Sequence, residues 1–152
     1  MLRTHTCGEL NKALVDKEVT LSGWVDTVRN YGKLAFVDLR DRYGITQVIL
    51  SAKDIPDIDK LRNEDILKIT GKVKSRLEGK ENKDISTGDI EVKASSLKIL
   101  SKSKDLPFEI NKDIEVGEEL RLKYRYLDLR NPGMARNMKM RHDTILFLRN
   151  FL

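Results

Sequence analysis

Five stretches in which apolar and polar residues alternate, the first three joined by short glycine-bearing turns, constrain this 152-residue chain more than any other feature. In residues 18–29, Val19, Leu21, Gly23 and Val25 alternate with Thr20, Ser22, Trp24 and Asp26, the period of a strand with one buried face. Gly23 inside it predicts a bend or bulge, of the kind found where a sheet curls. Asn30-Tyr31-Gly32 reads as a turn, 34–41 as a second strand, Arg42-Tyr43-Gly44 as another turn and 45–50 as a third strand. In 51–63 the period changes: Ile55, Ile58 and Leu61 recur at helical spacing and predict a short helix. A fourth strand follows over 66–76, then a long polar loop over 77–88 and a fifth strand over 89–100. A short helix is also predicted before the first strand, over 7–14.

Three strands, a helix and two strands make the order of an OB-fold, a mainly β, five-stranded Greek-key barrel with a helix between strands 3 and 4. Such barrels bind oligonucleotides on their second and third strands and adjoining loops. Beyond Leu100 the character changes to an α-helical C-terminal segment. Residues 101–111 read as a linker containing Pro107, 118–126 as helical, and Asn131-Pro132 as a helix start with an Asn cap and Pro first. The division expected is a barrel over 1–104, a hinge over 105–130 and, over 131–152, the first helix of a domain cut short. That last expectation rests on a chain that stops within an apolar helical pattern, with no glycine cap.

Charge is uneven. The net charge is +5, yet residues 121–152 hold eight Lys/Arg against two Asp/Glu, and residues 1–120 hold twenty-one against twenty-two. A nucleic-acid site on the barrel must therefore be a local basic face. No run approaches the ~20 apolar residues of a membrane span, no signal peptide opens the chain, and Cys7 has no second cysteine to pair with. A cytoplasmic protein without membrane contact is the expectation. With two isolated histidines and one cysteine, no metal site is predicted.

Several strand and loop residues carry recognition chemistry. Phe36 could stack on a base or belong to the core, since it shares a strand face with Leu34. Gln47 pairs a donor with an acceptor, as a uracil edge does, or is a solvated strand-face amide. Arg29 offers a planar fork to a base or a phosphate, or is a surface charge. Glu91 can accept from the cytosine amine, or face solvent. Lys72, Lys74 and Arg76 share one parity, and with Lys80 and Lys83 they supply cations for phosphates. Asn82 sits in the same loop, where a plain solvated loop is the rival reading. Asp38, Arg40, Asp41 and Arg42 read as a structural ion-pair and turn network rather than a catalytic pair.

GWV at 23–25, FVDLRDRYGITQV at 36–48, TGDIEV at 87–92 and RLKYRYLDLR at 121–130, in this order and spacing, resemble bacterial aspartyl-tRNA synthetases over essentially the whole chain. The resemblance implies an N-terminal barrel that reads the tRNA anticodon. A class II catalytic domain, whose motifs lie outside this segment, would then charge tRNA-Asp with aspartate using ATP and Mg. It implies no catalytic residue and no cofactor within this chain, a homodimeric parent, and tRNA-Asn as a second substrate in some members. Residue by residue, it implies that Phe36 stacks on the central anticodon base, Gln47 reads its uracil, Glu91 reads the third base, cytosine, and Asn82 contacts the first. Arg29, Lys74 and Arg76 would complete the RNA-binding set. Many members carry a basic run where this chain has Thr27-Val28-Arg29, and positions near Tyr31 and Gly79 bear on the choice between the two tRNAs. The alternative is a stand-alone OB-fold module that binds single strands or protein partners without sequence preference.

Overall fold

The computed structural model describes the chain except residues 1, 54, 56, 57 and 111–115, with residue 59 described in its backbone alone. The chain divides into two compact units, Met1–Lys104 and Asp105–Leu152. In the first, β1 (Glu18–Tyr31), β2 (Leu34–Arg40), β3 (Ile45–Ser51), β4 (Ile66–Ser75) and β5 (Ile90–Ser101) close a barrel in the order β1-β2-β3-β5-β4. Consecutive strands pair antiparallel, except that β3 meets β5 in parallel at Val48–Val92 and Ile49–Lys93. This is the OB-fold that the order of strands predicts.

Alternation builds the core directly. Val19, Leu21, Val25, Val37, Leu39, Val48, Leu50, Leu67, Ile69, Val73, Ile90 and Val92 point inward and are buried. A slip of one residue in any pair would turn that strand's apolar set to solvent, so the register is strongly specified. β1 is long because it serves two partners. Its first half pairs with β4 as far as Trp24–Ile66, and its second half pairs with β2 from Trp24–Arg40 onward. The curl is shared between two positions. A Cβ at Gly23 would stand 2.4 Å from the Arg40 carbonyl oxygen, so glycine permits the close approach of β2. The bulge itself falls two residues later, where the register shifts between Val25 and Thr27.

The two short helices predicted within the barrel are only single turns. Residues 7–14 contribute one 3₁₀ turn, Lys12–Leu14, capped by Asn11, whose side chain accepts from the Ala13 N–H. The Asp41 carboxylate takes the Cys7 N–H at 2.9 Å and so draws this segment toward the β2–β3 turn. In 51–63 the helix is again one 3₁₀ turn, Ile58–Lys60, with Ile55, Ile58 and Leu61 buried. A spacing of three serves the 3₁₀ period as well as the α period, which is why the inward face was legible and the helix type was not. The predicted positions at 54, 56 and 57 lie outside the described residues. Tyr31 belongs to β1, and the hairpin turns at Gly32, whose φ of 61° favours glycine.

In the second unit the helix predicted over 118–126 is interrupted at Tyr124, giving α1 (Glu118–Lys123) and α2 (Arg125–Asp128). The Arg121 and Arg125 guanidiniums both pair with Asp128, at 2.8 and 2.5 Å. α3 (Pro132–Phe151) starts as its sequence predicts, with the Asn131 side chain accepting from the Gly133 and Met134 N–H groups. Residues 111–115 of the predicted hinge lie outside the described residues.

Candidate nucleic-acid interface

Side chains excluded from the core by parity gather on one outer face of the barrel. On β2, Ala35, Val37 and Leu39 face inward, which leaves Phe36 and Asp38 outside. The ladder then sets neighbours: Arg29 stands opposite Phe36, Asp38 opposite Gln47, and Glu91 opposite Lys74. Arg29, Tyr31, Phe36, Gln47, Arg76, Lys80 and Asn82 line a groove of about 530 Å³. Two aromatic rings form part of its wall, with Tyr31 and Phe36 edge to face, 5.6 Å apart and inclined by 86°.

A hydrogen-bonded row runs along this face. The Arg29 Nη2 donates to both Asp38 carboxylate oxygens, at 3.0 and 2.9 Å, and to the Gln47 Oε1 at 3.4 Å. The Gln47 Nε2 in turn donates to the Glu91 Oε2 at 3.2 Å. Gln47 is only 8% exposed, which removes the reading of a solvated strand-face amide. Arg76 is anchored from behind, its Nε donating to the Ile90 carbonyl at 3.2 Å and its Nη1 to the Lys80 carbonyl at 3.4 Å. Its buried Nη2 lacks a hydrogen-bond partner, an unusual state for a charged donor. Asn82 is held by its loop: its Oδ1 accepts from the Asp84 N–H, and its N–H donates to the Gly88 carbonyl. A Cβ at Gly88 would lie 1.7 Å from the Asn82 carbonyl oxygen, so the loop's shape requires glycine there.

Burial pushes both carboxylates of this face upward. Desolvation raises Glu91 above the ordinary glutamate value, against the opposing pull of Arg76 and the Gln47 hydrogen bond. Desolvation also raises Asp38, assisted by Asp26 and opposed by Arg29 and Arg76. A carboxyl with a raised folded-state pKa favours the fold fully only below its unfolded pKa, and that contribution is lost as pH rises through the folded value. In their charged form these two groups therefore cost stability, and they sit where a ligand could use their charge.

The structure brings together most of the residues singled out from sequence. Arg29, Phe36, Gln47, Arg76 and Asn82 line the groove, and Glu91 is hydrogen-bonded to Gln47. Lys74 does not join them. It shares the sheet face, but its Nζ turns to Asp16 at 2.6 Å and does not line the groove. Phe36 is outside the core, so its apolar character serves the surface. Lys80, expected as a phosphate cation, lines the groove as well, whereas two participants escape the sequence reading of the groove: the Tyr31 ring and Asp38. Tyr31 shares strand parity with Arg29, a signal hidden by reading 30–32 as a turn. Arg40 and Asp41 of the charged string are structural. Arg40 bridges Asp26 and Glu64, while Asp41 accepts from Arg3 and from the N–H groups of Cys7, Tyr43 and Gly44. Among the described residues, no group of three or more His, Cys, Asp or Glu could hold a metal ion, and no helix is long and apolar enough to cross a membrane.

Comparisons with known proteins agree with this geometry. The family described as an OB-fold nucleic acid binding domain matches residues 19–100. The chain is 46% identical over its whole length to the aspartate–tRNA(Asp/Asn) ligase of Natranaerobius thermophilus, and spans 27% of that protein. It is 48% identical over its whole length to the corresponding ligase of Arthrobacter sp., and spans 25% of it. The chain thus covers about a quarter of the length of these curated relatives. Among solved structures, the asparaginyl-tRNA synthetase of Pyrococcus horikoshii complexed with asparaginyl-adenylate superimposes with a TM-score of 0.83 at 28% identity, covering all of this chain and 34% of its own.

Proposed function

This chain belongs to the OB-fold nucleic acid binding domain family, and from that premise we propose that it reads the anticodon loop of tRNA-Asp as part of an aspartate–tRNA ligase. One observation carries the reading. Two aromatic rings, two guanidiniums and a linked amide–carboxylate pair line or adjoin one groove on the outer face of the barrel, from β1, β2 and β3 to β5 and the β4–β5 loop. Unpaired RNA loops are recognised with those groups: rings stack, cations hold phosphates, and amides and carboxylates read base edges. In this reading Phe36 stacks on the central base, Gln47 reads its uracil and Glu91 accepts from the amine of the third base, cytosine. Arg29, Arg76 and Lys80 hold the backbone, and Asn82 lies beside the first base.

The parent enzyme attaches aspartate to tRNA with ATP and Mg, works in the cytoplasm and acts as a homodimer. tRNA-Asn is a second substrate, in keeping with the names of the two ligases this chain resembles. No catalytic step is assigned to the residues of this chain.

The test is binding of the full chain to an RNA stem-loop with the anticodon GUC and to the same stem carrying GAC. A preference for GUC of at least about tenfold is expected, since one mismatched edge contact costs ~1–3 kcal/mol. Equal affinities at moderate salt would overturn the reading in favour of an OB module without sequence preference. With about three cations on phosphates, affinity for GUC should fall roughly tenfold between about 50 and about 200 mM salt. A salt-independent affinity would remove the backbone contacts from the account.

Glu91→Gln separates recognition from folding. The variant should lose about tenfold in GUC affinity, because an ionised acceptor toward cytosine becomes a neutral amide. Its melting temperature should not fall, because a desolvated charge has been removed. Acid should mimic the substitution. Binding requires ionised Glu91, whose pKa burial raises, so GUC affinity should decline on acidification over a range above that of an ordinary glutamate. That part of the decline should be missing in Glu91→Gln, and an identical pH profile in both proteins would place the titrating group elsewhere.

A further inference from the structure

An amide can serve uracil and cytosine equally well, so Gln47 by itself does not choose between them. Toward uracil the amide oxygen accepts from N3–H while the amide N–H donates to O4. Toward cytosine in the same position both roles reverse, since N3 accepts and the exocyclic amine donates. A half-turn of the amide about its last bond converts one mode into the other. Selectivity for uracil therefore needs something that prevents that half-turn.

The row on the barrel face supplies it. A cation holds the oxygen end of the Gln47 amide, through the Arg29 Nη2 at 3.4 Å, and an anion holds the nitrogen end, through the Glu91 Oε2 at 3.2 Å. Reversal would set the amide N–H₂ against the guanidinium and the amide oxygen against the carboxylate. Both contacts involve a charged group, so the reversed amide forfeits two charge-assisted contacts and meets two repulsive ones. One Nε2–H and one Oε1 lone pair stay available, with the donor and acceptor ends already assigned. Arg29 can act as a lock only if its own fork is held. It is partly exposed on a long stem, and the two Asp38 oxygens at 3.0 and 2.9 Å fix its Nη2. Asp38 lies opposite Gln47 in the ladder, which brings the three groups into reach. The desolvation of Asp38 agrees with a carboxylate retained for its charge, since an uncharged side chain would be cheaper to bury there.

We infer that Asp38 is a positioning residue that orients the Gln47 amide through Arg29, and thereby selects uracil over cytosine at the middle anticodon position. This inference rests on the anticodon reading and assigns a specificity role to a residue that would not itself touch RNA.

The measurement is the affinity of the full chain and of Asp38→Asn for stem-loops carrying GUC, GCC and GAC. In the unsubstituted chain GUC should exceed both others. In Asp38→Asn the GUC-to-GCC ratio should fall about tenfold, largely because GCC binds better, while the GUC-to-GAC ratio changes by less than about threefold. A residue that merely supported the barrel would lower all three affinities together and leave the ratios unchanged. That outcome, with GUC still preferred by the parent chain, would overturn the lock and leave anticodon reading intact. Absence of any GUC preference in the parent chain would overturn both. Should Asp38→Asn fail to fold, Arg29→Met carries the same test, because it removes the cationic nitrogen that contacts both Asp38 and the Gln47 oxygen. An unchanged GUC-to-GCC ratio there would equally overturn the lock.

Discussion

Replacing Phe36 by alanine should lower the affinity of the chain for a GUC stem-loop by roughly tenfold to a hundredfold, with little change in stability. The size follows from stacking, worth ~1–3 kcal/mol per base when an aromatic platform is truncated. The accompanying stability argument makes the experiment clean. Phe36 points away from the core, and its strand neighbours Ala35, Val37 and Leu39 carry the buried side of β2. The main loss within the protein is the edge contact with Tyr31 at 5.6 Å, a pair worth about 1 kcal/mol. Titration calorimetry with the stem-loop, alongside thermal unfolding, checks both halves. Affinity within about twofold of the parent chain would remove Phe36 from the interface. A large fall in melting temperature would return it to a structural role.

The reverse pattern, a lost fold with no direct effect on recognition chemistry, is expected at Gly71. It sits inside β4, where the register against β5 shifts between Thr70 and Gly71. A Cβ there would stand 2.4 Å from the Lys93 carbonyl oxygen and 2.8 Å from the Ala94 Cα. Both obstacles are backbone, so no side chain can rotate away to relieve the contact. Gly71→Ala should therefore cost roughly 3 kcal/mol, at the upper end of overpacking penalties. For a barrel of this size that lowers the melting temperature by roughly 12 °C or more. Thermal unfolding by circular dichroism is the check. A shift below a few degrees would mean that β4 and β5 can separate locally at little cost.

These two sites show what kind of information a sequence holds. Phe36 and Gln47 were legible as candidates because period-two alternation and the resemblance both marked them. The residues alone left Phe36 divided between core and surface. β2 resolves the division by parity, since the inward set is Ala35, Val37 and Leu39. Lys74 shows the opposite case. Its parity was read correctly, yet its ammonium is taken by Asp16, fifty-eight positions earlier, and does not line the groove. No local pattern announces such a partner. Asp38 was grouped with its neighbours in a charged string, whereas Arg40 and Asp41 turn to other partners and Asp38 turns to Arg29. The single turn at Ile58–Lys60 is not legible as such for a simpler reason, since spacing by three does not distinguish the two helix types over so few residues.

By itself the sequence determined the number of strands, their order, their inward faces and the Asn131-Pro132 start of the last helix. Each of these is written within a few consecutive residues, as a period, a turn or a cap. Only the tertiary structure decided that Arg29, Asp38, Gln47 and Glu91 form one hydrogen-bonded row. Consecutive members are separated by 9 to 44 positions along the bonded pairs, and they meet because β2 pairs with β3 while β3 closes the barrel in parallel onto β5. Register across a ladder is set by the burial of every strand together. Which outward side chains become neighbours is therefore a property of the closed barrel and of no single segment in it.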